Sequence, residues 1–342
     1  MLPTKSSLPA VVLTAALFLA AALPAAAQPA AVDTAQSATT TQQLQKPLAP
    51  AGTDASQAPL FYEGEMEDVG PQYVLQPQPK PKYFFASADW QLYFTNNAAL
   101  APGNKVGTDV NVFSLSAEVH TLETAWWNKS TAQAHAGIRY QTYWYGVFSD
   151  RNAIASGAPV KNSDFETISP YVEATFKRDD WSGAVGLRYA DFSNNNATSN
   201  GTFYQEWVPY WSIAKQFVLN AKSILQLQYD GDYRATNTPS GGLLPTGWNN
   251  RADNSFTVVY SYIINDHLVL QPSYRFSVAS YDATGRQRRD NYNTFSFVAA
   301  YYFNEWTSVR AYTSWEQRNS TEVGNNYQNW NLGLGATYQM KF

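Results

Sequence analysis

Thirteen ionisable side chains fall on one phase of a two-residue alternation: Asp89, Glu118, His120, His135, Arg139, Glu173, Arg188, Glu206, Lys222, Arg275, Arg310, Glu316 and Lys341. Charges of both signs facing one enclosed space have two uses. Paired, they stiffen a wall as a salt-bridge network; left open to solvent, they form a constriction that selects solutes by charge. Arg188 and Glu206 lie at comparable distances from their turns on neighbouring segments, and are expected to pair. Tyr93, Tyr143, Tyr145, Tyr171, Tyr204, Tyr210 and Tyr312 share the phase. A phenol offers a flat apolar face and a hydroxyl, which suits a sugar or nucleoside as well as ordinary packing. Small residues on the same phase (Ser114, Ser116, Ala184, Gly186, Ser261, Ser273, Ser277, Gly333, Gly335) are expected to leave open volume.

Catalytic chemistry has little support. There are 3 histidines, and none lies beside a nucleophile motif. His267 falls in a turn, while His120 and His135 point inward. No Gly-x-Ser-x-Gly, His-Glu-x-x-His or glycine-rich phosphate loop occurs. With 0 cysteines there is neither a disulfide framework nor a thiolate metal site. No cofactor and no metal is expected, and a net charge of -4 without a basic stripe argues against a nucleic-acid partner.

The elements that position these residues are strands. From residue 83 onward the hydrophobic period is two. Strands are expected near 84–95, 110–121, 131–147, 166–177, 180–192, 202–213, 217–230, 254–264, 267–280, 291–303, 306–317 and 328–342. Tight links near 178–179, 214–216, 265–266 and 304–305 alternate with long ones at 96–109, 148–165, 193–201, 231–253, 281–290 and 318–327. Only the link 122–130, with Trp126 and Trp127, is long where a tight one belongs. Twelve strands, an even number, bring both barrel ends to the tight-turn side. Trp181, Trp211, Trp306 and Phe342 beside those turns form an expected interfacial belt. Pro170, Pro209 and Pro272 each remove a ladder donor and should sit at bulges or strand ends. Aromatics at 15%, charged residues at 15% and mean hydropathy of -0.38 fit an apolar outer and a polar inner face. A soluble β-sandwich with such strands would expose aggregation-prone edges; a closed barrel in lipid has none.

In the last strand Trp330, Leu332, Leu334, Ala336, Tyr338, Met340 and Phe342 form one face, and Asn331, Gly333, Gly335, Thr337, Gln339 and Lys341 the other. The ending at Tyr338, Met340 and Phe342 resembles the C-terminal signature of bacterial outer-membrane β-barrels. That resemblance covers about the last 12 residues and implies assembly by the barrel-insertion machinery. The N-terminus fits an exported protein. Lys5, the apolar run Leu8 to Leu23 and the small triplet Ala25-Ala26-Ala27 read as a signal peptide over 1–27, cleaved before Gln28. Residues 28–60 are rich in Ala, Gln, Thr and Pro, and 61–82 hold an acidic cluster (Glu63, Glu65, Glu67, Asp68) and an extended Pro-Gln spacer; together 28–82 read as a disordered periplasmic tail or linker, or as a plug for the barrel or a dock for a periplasmic partner.

The expectation is therefore an all-β, transmembrane antiparallel barrel of about 12 strands over 83–342. It lies in the outer membrane among lipids and lipopolysaccharide. Its function is passive, porin-like diffusion of small hydrophilic solutes, past charged side chains and the 231–253 loop. The alternatives are a lipid-modifying enzyme and a non-conducting structural barrel. Arg286, Arg288 and Arg289 in the 281–290 loop are expected at the surface.

Overall fold

The structure, a computed structural model, describes residues 83–103, 105–127, 130–148, 163–196, 199–237, 247–282 and 287–342. The signal peptide and tail expected over 1–82 lie outside them. The strands are β1 (Phe84–Thr95), β2 (Thr108–His120), β3 (Thr124–Trp127), β4 (Ser130–Tyr145), β5 (Phe165–Arg178), β6 (Trp181–Asn196), β7 (Ser199–Asn220), β8 (Ser223–Asn237), β9 (Arg251–Ile263), β10 (Leu268–Tyr281), β11 (Arg289–Tyr302), β12 (Thr307–Ser320) and β13 (Tyr327–Lys341). Every neighbouring pair is antiparallel. β1 pairs with both β2 and β13, and β2 pairs with β4, so β1, β2 and β4–β13 close into a ring of 12. Closure leaves no ladder group unpaired at an edge, which is the condition for a sheet to span a bilayer.

β3 explains the irregular link at 122–130. It pairs with Ser130–Ala132 of β4, below the point where β2 stops at the His120–His135 pair. The β2–β4 hairpin is thus prolonged past a break at 121–123 rather than joined by a loop.

The exterior is apolar. Phe94, Leu115, Ile138, Val172, Val185, Trp207, Ile213, Phe256, Phe295, Trp330, Leu332 and Leu334 are all exposed, and the residues between them point inward. Such a continuous apolar surface is stable against lipid and not against water. Trp181 and Trp306 border tight links as expected. Trp211 does not. It pairs with Val185 and packs over Gly231, well away from any turn.

Three expectations about the strands need correction. The link placed at 214–216 is at 221–222. β7 runs 22 residues, and Gln216, Phe217 and Val218 pair with Gln226, Leu225 and Ile224. Lys222 is therefore an exposed turn residue whose N–H donates to Asn220 Oδ1 at 2.9 Å, not a lumen group. The long link at 193–201 is mostly strand, with Asn195 opposite Asn200 and Asn196 opposite Ser199. Finally, the three prolines sit at no bulge. Pairing skips Pro170 toward β6, Pro209 toward β8 and Pro272 toward β9, but the register resumes unchanged on both sides. Each residue of an antiparallel strand donates to one neighbour only, so one proline removes one bond. All three prolines face outward.

Candidate functional site

At the tight-turn end, where Tyr83 N–H donates to the Phe342 carbonyl, β2 and β4 bring Glu118, His120 and His135 together. Glu118 Oε2 lies 3.1 Å from His120 Nε2, and the two imidazole rings are 4.0 Å apart. Phe85 stacks on His120 at 3.9 Å, and Lys341 Nζ lies 5.9 Å from the Phe85 ring.

Glycines let long side chains lie flat across this wall. On the ring, Glu118 of β2, Gly137 of β4 and Tyr171 of β5 are in line. A Cβ on Gly137 would meet the Tyr171 ring at 2.8 Å, so only glycine lets the phenol cross to bond Glu118. The arrangement repeats with Tyr210, which crosses Gly186 and donates to Glu173 Oε2 at 2.9 Å. Tyr312 crosses Gly333 toward Gln91, and Arg310 crosses Gly335 to reach Asp89. The inward glycines at 186, 333 and 335 are therefore covered rather than sources of open volume.

In the middle of the lumen a cavity of about 510 Å³ remains. Glu118, His135, Arg139, Tyr171, Glu173, Arg188, Glu206, Tyr210 and Arg275, all expected inward, line it. Arg139 and Arg275 each present an Nε with no hydrogen-bond partner. The Arg188–Glu206 pair exists at 3.8 Å, but Glu206 lies nearer to Arg234, at 3.2 Å. Arg234 also donates to Asp253 at 2.9 Å and Asp232 at 3.2 Å, and Arg251 donates to Asp253 at 2.9 Å. A chain of alternating charges thus runs from β6 to β9.

Towards the long links the lumen is filled. Tyr143, Tyr204, Tyr312, Val110 and Val112 are no more than 2% exposed, and they pack with Phe165, Phe192 and Phe203. The first long link joins them: Asn97 donates to the Ala101 and Gln328 carbonyls, burying Ala98 and Leu100. Arg310 and Glu316 are inward and already bonded. Arg310 holds Asp89, and Tyr327 donates to Glu316. A smaller cavity of about 70 Å³ lies among Arg251, Asp253, Glu316 and Arg318, and shares Asp230, Asp232, Arg234 and Arg275 with the larger one.

The sequence reading missed Asp232, Arg234, Arg251 and Asp253 because it placed 231–253 in a loop. Both flanks are strand: β8 runs on to Asn237 and β9 begins at Arg251. The usable signal was the i, i+2 run Asp230-Asp232-Arg234 and Arg251-Asp253. Arg288 is also corrected: it is 3% exposed and donates to Asp290 at 2.9 Å, whereas Arg289 is exposed and Arg286 lies outside the described residues.

No family model matches the chain, and no curated relative matches it. Among solved structures, the chain is similar to an outer membrane channel from Pseudomonas putida F1 (TM-score 0.49, 11% identity, covering 80% of this chain and 100% of that one). It is also similar to the transport unit of the autotransporter AIDA-I from Escherichia coli (TM-score 0.45, 7% identity, 78% and 93%). A third is the KdgM porin (TM-score 0.38, 9% identity, 74% and 98%). None of these likenesses bears on the lumen residues.

Proposed function

We propose that the chain is an outer-membrane, porin-like channel for passive diffusion of small hydrophilic solutes, its lumen narrowed by the charged chain from Arg188 to Arg251. One observation carries this reading: the two cavities share Asp230, Asp232, Arg234 and Arg275, so a polar lane runs past the ion pairs. Four arginines against five carboxylates line the larger cavity, so charge selectivity is weak. Passage requires movement of the side chains that fill the long-link end. That filling favours the second reading, a non-conducting structural barrel.

Current through single molecules in a planar bilayer separates the two. Conductance steps are expected. Arg234→Ala should move selectivity toward cations, because it removes the cation that faces Glu206, Asp232 and Asp253. The shift should grow as salt falls and screening weakens. Arg188→Ala should shift it less, since Glu206 keeps Arg234. Folded protein that gives no steps, either whole or after deletion of 28–82, would establish the non-conducting barrel. Steps that appear only after deletion would make the tail a plug.

The orientation assigned to this channel places long links outside the cell and tight turns in the periplasm. A cysteine replacing the exposed Gln287 should then react with an impermeant maleimide on intact cells, and one replacing the exposed Asp266 should not. The opposite pattern would invert the topology.

A further inference from the structure

Two of the chain's 3 histidines face each other across β2 and β4. Glu118, two residues before His120, turns to the same point, so that one ligating atom from each of Glu118, His120 and His135 lies within 4.8 Å of the others. We propose that these three residues bind one divalent transition-metal ion at the tight-turn mouth of the lumen.

The donor set supports this. Two imidazoles and one carboxylate make a borderline site, matched to Zn(II), Cu(II) or Ni(II) and ill matched to Ca(II) or Mg(II). A tetrahedral ion with bonds of about 2.1 Å sets its ligand atoms about 3.4 Å apart. The Glu118–His120 separation of 3.1 Å is already in that range, and a ligating atom of His135 lies within 4.8 Å of both. The ligands are also held from behind. Thr175 Oγ1 lies 3.1 Å from His135 Nε2, the Tyr171 hydroxyl bonds Glu118 across Gly137, and Phe85 stacks on His120. Outer contacts of this kind fix the orientation of metal-bound imidazole and carboxylate. Three protein ligands leave a coordination position open, and Glu118 and His135 line the large cavity, so that position is accessible to water or a solute acceptor. A bound dication there adds the largest local charge on the solute's route.

This site does not depend on conduction, and its test uses none. Zn(II) is titrated calorimetrically into untagged, folded full-length protein in detergent. One ion per chain is expected. His120→Ala and His135→Ala should each weaken binding by more than about tenfold, and Thr175→Val by about tenfold, the usual effect of removing an outer-sphere partner. His267→Ala, which changes the remaining histidine in a distant turn, should leave binding unchanged. Electron paramagnetic resonance of the Cu(II) form should show coupling to two nitrogens, falling to one in His135→Ala. Heat-modifiable gel mobility verifies that each variant is folded. Absence of binding at about millimolar zinc would overturn the proposal. So would unaltered binding by the folded His120→Ala/His135→Ala double variant.

Discussion

Arg310→Met should cost the folded barrel about 3–5 kcal/mol, because it leaves a buried carboxylate without its counter-ion. The Arg310 and Asp89 side chains are each 1% exposed, and the guanidinium grips both carboxylate oxygens, at 2.8 and 3.0 Å. Thr337 and Gln91 also donate to Asp89, but neither supplies charge. Arg310→Lys restores the charge without the two-pronged grip and should recover only part of the loss. Asp89→Leu combined with Arg310→Met removes both ions and should recover most of it. The urea midpoint of protein folded in vesicles, followed by gel mobility, measures all three. A single variant as stable as the parent would show that water reaches Asp89.

Leu334→Arg should block insertion far more than Ser273→Arg. Leu334 is 59% exposed on the outer face, between Leu92 and Ala311, and a charge there costs about 2–4 kcal/mol near the membrane midplane. Ser273 lines the large cavity, where water and Asp230 or Glu206 can receive a cation. Gly335 looks like the simpler control in the sequence, being small and inward. The structure disqualifies it, since a Cβ there would lie 2.8 Å from the Arg310 guanidinium carbon and push it off Asp89. The measure is the heat-modifiable fraction in outer-membrane preparations. Equal recovery of the Leu334 and Ser273 variants would contradict the facing of β13.

Period-two alternation made the ring legible. The apolar set from Trp330 to Phe342 faces outward throughout, and inward tyrosines such as Tyr143 and Tyr312 lie where the phase puts them. Strand ends were harder to read. A lumen-facing position is polar in the same way as a loop position, so Asp232-Tyr233-Arg234 and Arg251-Ala252-Asp253 looked like connection, and Lys215-Gln216 looked like a turn. Partners were also illegible where they depend on a third strand. Nothing in the sequence near Glu118 points to Tyr171, because the bond exists only through the gap at Gly137. Likewise, His120 and His135 are 15 residues apart in sequence and become opposite neighbours only through the β2–β4 register.

The glycine crossings have a mechanical consequence where the first and last strands meet. In a cylinder of staves, the seam between β1 and β13 joins the first and last strands and is a natural place to split. Here Arg310 and Tyr312 reach from β12, over Gly335 and Gly333 of β13, to Asp89 and Gln91 of β1 on the far side of the seam. Parting β1 from β13 must therefore tear loose β12 as well. Two side chains act as hoops across the joint, and the cylinder resists opening there as a unit of three staves rather than two.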